Sequence, residues 1–398
     1  PRPGMINMTI NAFYNDPERD IHFIPVYFSY ERLLEVDSYL EELSGQPKQT
    51  ESLLDILRVL RRLKLKFGQV AVNFGHPISL KGFLGSEEAL SLPLNTKNTQ
   101  HQLVDNLGSH LAHRINGSIA VNPTQLFATV VLGAETCEID KPRVLILIRL
   151  LEQILRADHF SAGFQRTDAD LLEHVIATTS TTDAALEGRV VFDDPDQAAR
   201  LAYYRNSILH LTMGPALVAN FLLQKPETSP TEIAANIETI APLICADLRT
   251  DFRTSVTEVQ LILSAFSDFG LIDQEPDRAP MIIDQTALKI IARSALPLIY
   301  RHAIALCLSQ ANSTITSASI EHVDLSGGGL SAILSTPPLL ATEAQLLAPV
   351  SDNLIAQLKI LQAQPSEKQA LCAAASVFSD VLSAQAYARI QTATLSAV

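Results

Sequence analysis

Residues 21–30 read Ile21-His22-Phe23-Ile24-Pro25-Val26-Tyr27-Phe28-Ser29-Tyr30. The run is apolar, β-branched and aromatic, which suits a strand buried in a sheet. Pro25 sits inside it, and a proline supplies no ladder N–H, so it belongs at an edge, an end or a bulge. The flanks alternate in type. Met5, Met8, Thr9 and Phe13 recur at helical spacing after the Gly4 turn. A helix is expected over Glu31–Leu43, then a break at Gly45–Pro47, then a second helix from Glu51 to Phe67. Gly68 opens another strand-like stretch, Val70-Ala71-Val72-Asn73-Phe74, closed by Gly75 and Pro77. Strand, helical crossover and strand are what a mostly parallel sheet requires.

Beyond about Leu94 the pattern changes to Ala- and Leu-rich helical windows. They fall at 103–115, 123–132, 141–155, 168–177, 197–223, 230–248, 255–269, 285–309 and 354–361. The expected fold is an α/β remnant at the amino end followed by a large all-α domain. Residues 1–94 form the first part, 95–325 the helical domain and 326–398 a helical carboxy-terminal region, after the Ser326–Gly329 and Pro337-Pro338 breaks.

Composition excludes several classes. Of 398 residues, 47% are apolar and 18% charged, too apolar for a disordered chain. A formal charge of −13 argues against a nucleic-acid partner, since polyanions repel an acidic surface. Four scattered cysteines without a CxxC pair suggest neither a disulfide framework nor a zinc site. No run reaches the roughly 18 apolar residues of a membrane span, so any membrane association is expected to be peripheral. Pro1-Arg2-Pro3-Gly4 reads as a turn already inside a domain, and the chain is expected to be cut at its amino end.

The ordered set of a Gly4-Met5 helix start, the Ile24-Pro25-Val26 strand and the Gly68–Ile78 segment resembles the second half of the glycerolipid acyltransferase catalytic domain. The longer string Ile24–Leu43, with Gly45, Lys48, Glu51-Ser52-Leu53 and Gly68-Gln69, resembles the bacterial membrane-bound glycerol-3-phosphate acyltransferases. His113-Arg114-Ile115-Asn116, Val121-Asn122-Pro123 and Tyr203-Tyr204-Arg205-Asn206 resemble that family's helical carboxy-terminal region.

The resemblance implies transfer of a fatty acyl group from acyl-CoA or acyl carrier protein to the 1-position of glycerol 3-phosphate, without metal or organic cofactor. It implies a location on the cytoplasmic face of the bacterial inner membrane. It also implies that Ile24, Pro25, Val26 and Tyr27 match the last of four acyltransferase motifs and support substrate binding.

The family's base is a histidine with an aspartate five positions on, the carboxylate orienting the ring. None of the ten histidines here has one: at i+5 stand Tyr27, Lys81, Asn106, Ile115, Ser118, Phe164, Thr179, Pro215, Cys307 and Gly327. No catalytic residue is therefore expected within the chain, which by itself should be inactive.

Other patterns are weaker. The helix expected over Leu53–Phe67 sets Leu53, Ile56, Leu57, Leu60 and Leu63 against Arg58, Arg61, Arg62 and Lys66. Such a basic face is either a solvated surface or a contact for an anionic membrane or acyl carrier protein. His101 with Asp105, and His110 with His113, have helical spacing but lack a third ligand, so no metal site is expected. Residues 255–272 resemble the end of a winged helix in acidic surroundings. The rival to an enzyme part is a non-catalytic helical module that docks on membranes or proteins.

Overall fold

The computed structural model describes residues 3–32, 68–85, 97–155, 162–179, 182–184, 188–192, 195–250, 252–274, 279–311, 352–363 and 367–397. They separate into two compact units. One takes in described residues of 1–29, 70–120 and 249–251; the other takes in those of 30–69, 121–248 and 252–398. Of the expected helix over 31–43 only Glu31 and Arg32 are described, and they form a bend; the rest of it, the expected helix over 51–67 and the 326–338 breaks lie outside the described residues.

The first unit begins with α1 (Pro3–Asn15), which carries no charged side chain. Ile6, Ile10 and Phe13 recur at spacings of four and three, so they share a face, and all three are buried. They pack with Leu80 and Phe83 of α2 (Leu80–Leu84) and Leu103, Val104 and Leu107 of α3 (Lys97–Asn116). Met5, Met8 and Tyr14 stay exposed.

The 21–30 run forms two short strands, β1 (His22–Phe23) and β2 (Val26–Tyr30), interrupted at Ile24–Pro25. β1 pairs antiparallel with β4 (Ile78–Ser79), His22 opposite Ser79, and β2 pairs with β3 (Val70–Phe74). Among the described residues this gives two two-stranded sheets, not the continuous, mostly parallel sheet that the strand–helix–strand pattern suggested. The proline explains the break, because it cannot donate across a ladder.

The second unit is dominated by helices, as expected. They are α4 (Pro123–Gly133), α5 (Lys141–Leu155), α6 (Asp168–Thr179), α7 (Pro195–Ser207), α8 (Leu209–Gln224), α9 (Pro230–Leu248), α10 (Val256–Asp268), α11 (Gln285–Arg293), α12 (Leu296–Gln310), α13 (Asp352–Ala363), α14 (Glu367–Val381) and α15 (Ala384–Ala397). Every residue of α4 is buried, and α5, α6, α7 and α11 pack around it. Each fully buried Leu, Val or Phe side chain in such a core contributes about 1.5–3 kcal/mol. Gly133 allows α4 and α11 to touch: a Cβ there would lie 2.2 Å from the Ile290 carbonyl oxygen. Asn220 of α8 donates to the Ala216 and Ala292 carbonyls, binding α8 to α11.

Two long helical windows turn out to be bent pairs. α7 and α8 meet at 93°, α11 and α12 at 58°. At the first bend Ser207 Oγ donates to the Tyr204 carbonyl, and Ile208 and Leu211 close short turns onto Arg205 and Ile208. At the second, Pro297 occupies the first turn of α12, where a missing N–H costs nothing, and Ser294 Oγ donates back to Ile291.

The helical unit also holds strands that the sequence reading overlooked. β5 (Glu138–Asp140), β6 (Thr182–Ala184) and β7 (Arg189–Val191) form an antiparallel sheet in the order β5-β7-β6. After α10, β8 (Ile272–Asp273) and β9 (Met281–Ile282) form a hairpin, which accounts for the winged-helix resemblance.

A buried charged cluster lies between α9, α12 and α14. Asp247 pairs with Arg301, both largely buried. His302 donates from Nδ1 to the Leu298 carbonyl at 2.9 Å, stacks 6.0 Å from Phe378, and keeps a non-hydrogen-bonded Nε2 3.4 Å from Asp247. Burial pushes this imidazole down to about 4, with Arg301 adding to the effect and Asp247 opposing it.

The folded protein thus holds His302 neutral while the unfolded chain protonates it below pH 6.5. Stability is full above that value and falls as acid is added. Urea unfolding should show a loss of about 2 kcal/mol between pH 7 and pH 5, and His302→Gln should flatten it. Gly133→Ala should cost about 1–3 kcal/mol in the same assay, because the closest atoms it would meet are backbone.

Candidate functional site

In the first unit, Pro25 is buried and its carbonyl accepts the Gly75 N–H at 2.8 Å. A Cβ on Gly75 would meet Ser118 Oγ at 2.1 Å and Pro25 Cβ at 3.1 Å, so the close approach requires glycine. Ser118 in turn donates to the Arg114 carbonyl. Fixing Pro25 leaves Ile24 57% exposed, with Val26 and Tyr27 half-buried and Phe28 exposed. On β3, alternation turns Val70, Val72 and Phe74 outward, Phe74 to 72% exposure. The four motif residues are therefore together, beside a strand pair whose outward side chains are apolar.

The next part belongs to the second unit. Asn122 Nδ2 donates to the Tyr30 carbonyl at 3.0 Å, where β2 ends. The same side chain caps α4, since Asn122 Oδ1 accepts from Gln125 N and Gln125 Oε1 accepts from Asn122 N. Gln125 Nε2 then donates to Ser207 Oγ at 2.7 Å. Next to that serine, Arg205 is wholly buried and donates from Nε and Nη2 to Asn206 Oδ1. Val121-Asn122-Pro123 and Tyr203–Asn206, distant in sequence, are brought together. The His113–Asn116 segment acts elsewhere, where Asn116 Nδ2 holds the carbonyl of Arg249, a non-glycine residue at φ 49°.

Glu31, next after β2, belongs to the family-like string Ile24–Leu43, but the sequence reading gave it no role. It is 1% exposed. Its Oε2 accepts from Gln69 N and contacts His174 Nε2, both at 2.7 Å, and its Oε1 accepts from Arg166 Nη1 at 3.3 Å. Glu31 N donates back to the Gln69 carbonyl at 3.1 Å. Burial raises the carboxyl pKa, but the His174 and Gln69 hydrogen bonds and the charges of His174 and Arg166 outweigh it, so the group sits below the usual glutamate value. Gly68, at φ 71°, has no room for a side chain: a Cβ would lie 2.4 Å from Glu31 Oε2.

Other chemistry-bearing groups have structural roles. Asp20, His22 and Ser79 resemble a hydrolytic triad by type. Yet Ser79 Oγ donates to Asp20 at 2.6 Å and accepts the Gly82 N–H, which makes it the cap of α2 and leaves no proton path to the imidazole. Asp20 lies below the ordinary aspartate value because Ser79 and the Lys81 and Ile21 N–H groups bond its charged form. His110 packs against the Phe83 ring. Among the described residues no three His, Cys, Asp or Glu side chains gather as metal ligands. Arg58, Arg61, Arg62 and Lys66 lie outside the described residues.

The model of the glycerol-3-phosphate acyltransferase C-terminal region matches residues 39–326, and the chain belongs to that family. Glycerol-3-phosphate acyltransferase of Pseudomonas putida strain GB-1 is 32% identical over 339 residues, which cover 81% of this chain and 41% of that protein. The enzymes of the same name from Pseudomonas aeruginosa strain UCBPP-PA14 and Ectopseudomonas mendocina strain ymp are also 32% identical, with the same coverage. The chain spans about two fifths of the length of the curated relatives it matches.

Asn122→Ala should destabilise the protein by about 1–2 kcal/mol in urea unfolding, the usual worth of a cap. Asn122→Ser keeps an N-cap oxygen but loses the donor to Tyr30. It should recover most of that loss while speeding amide exchange at the end of β2.

Proposed function

We propose that this chain forms part of a bacterial glycerol-3-phosphate 1-O-acyltransferase. The parent activity moves a fatty acyl group from acyl-CoA or acyl carrier protein to the sn-1 hydroxyl of glycerol 3-phosphate, in phospholipid synthesis. The observation that carries this reading is the Ile24–Tyr27 segment leading into β2. Pro25 is held by Gly75, which itself sits between Pro25 and Ser118, and exposed apolar side chains stand at Ile24, Phe28, Val72 and Phe74.

In this reading Pro25 sets the strand's direction, and the outward apolar side chains receive the acyl chain near its thioester. None of the ten histidines has aspartate at i+5, so proton removal from the glycerol hydroxyl falls to residues other than these 398. Among the described residues no single helix is long and apolar enough to cross a membrane. Contact with an anionic membrane at the cytoplasmic face of the inner membrane is assigned to a peripheral surface, with Arg58, Arg61, Arg62 and Lys66 as its basic component.

A chimera tests the proposal: this chain replaces the corresponding two fifths of the Pseudomonas putida enzyme. With palmitoyl-CoA and glycerol 3-phosphate, the chimera should form lysophosphatidate. Pro25→Ala in it should lower kcat/KM about tenfold or more, as expected when a positioning element near the reacting atoms is lost. A folded chimera without turnover would sink the acyltransferase assignment in favour of a docking module. Turnover by the 398-residue chain alone would overturn the placement of the base.

A further inference from the structure

The Glu31 cluster has no part in the chemistry above, and it is an expensive arrangement. A carboxylate at 1% exposure faces an arginine and a histidine that are themselves mostly buried. Such groups are commonly replaceable by apolar residues without loss of stability, so their presence calls for a reason other than stability. The geometry supplies one.

Glu31 and Gln69 stand where the chain leaves β2 and where it approaches β3. They hold each other twice: Glu31 N donates to Gln69 O, and Gln69 N donates to the Glu31 carboxylate. The carboxylate is then fixed by Arg166, which precedes α6, and by His174 within that helix. Those partners are supported in turn. Arg149 Nη2 donates to the Arg166 carbonyl while its other contacts bind Glu152 and Asp168, and Thr178 Oγ1 donates to the His174 carbonyl. Gly68 completes the close fit by leaving room for the carboxylate.

We propose that Glu31, Arg166 and His174 are positioning residues that lock the β2 exit to the β3 entry and so keep β2, the strand that follows Ile24-Pro25, paired with β3. The role rests on the substrate-binding reading of that strand, whereas the clamp itself stands on the hydrogen bonds. Glu31→Gln removes the charge at nearly constant shape. It weakens the hold of Arg166 and replaces one acceptor oxygen with a donor that faces the guanidinium, the imidazole or Gln69 N.

The test uses the 398-residue chain, with Val259→Ala in α10 as a destabilised variant remote in sequence from the cluster. Amide exchange is followed at Gln69 and Val26–Tyr30, and binding of decanoyl-CoA is measured by calorimetry. Glu31→Gln should speed exchange at those amides at least tenfold and weaken decanoyl-CoA about tenfold, while Val259→Ala should do neither. His174→Ala, which leaves Arg166 in place, should raise the same exchange about threefold and serves if Glu31→Gln does not fold. Exchange that rises no more in the Glu31 and His174 variants than in Val259→Ala overturns the clamp. A native chain that shows the clamp in exchange but does not bind decanoyl-CoA upholds it while refuting the substrate reading of the strand.

Discussion

A single missing hydrogen-bond donor organises the amino-terminal unit. Pro25 has no N–H to give, so the ten-residue apolar run cannot continue as one strand and divides into two, each with its own partner. Its carbonyl is still satisfied, by Gly75 N, which draws the start of the β3–β4 connection against the proline ring. Only glycine tolerates that approach, with Ser118 on the other side. Ile24 is left exposed at the same break.

The second unit solves a different problem, that of placing polar groups in a core. It does so by sharing. Asn122 caps α4 and also holds Tyr30; Gln125 closes the capping box and also reaches Ser207; Ser207 shapes the bend after α7. Each side chain meets a local backbone requirement and a distant one at once. Unsatisfied buried polar groups cost about 1–3 kcal/mol each, which favours such double use.

Much of this was legible in the sequence, and the exceptions have physical causes. Helices with strong 3.6-residue patterns lie where expected: α9 occupies Pro230–Leu248, and α5 covers Lys141–Leu155. The bends at Ser207–Ile208 and Ser294–Ala295 were missed because the apolar pattern runs through them; only Pro297 offered a signal, and Ser207 offered none. The three-residue strands β5, β6 and β7 are too short for alternation to show. At the site, Pro25 and its neighbours stood out by residue type. Glu31 was read only as part of the family-like string Ile24–Leu43; its buried role was hidden, because Arg166 and His174 lie 135 and 143 residues further along, and ordinary surface glutamates look the same in a sequence. Asp247 and His302 were hidden for the same reason. Membership of the glycerol-3-phosphate acyltransferase family was readable from local strings, since it depends on residues adjacent in the chain.

The right-angle turn between α7 and α8 bears on whether this segment suits a protein interior or a bilayer. By length and composition alone, Gln197–Ser207 with Leu209–Gln224 resembles a broken membrane span, as buried core helices also do. Arg205 sits just before the turn and is completely enclosed in the finished fold, where Asn206 receives its guanidinium. Hydrocarbon offers no such acceptor, and an arginine at the bilayer centre costs about 2.5–3.5 kcal/mol even by the lenient insertion scale. In the finished fold α7 packs against α4, and the buried arginine favours that protein interior over hydrocarbon for this segment.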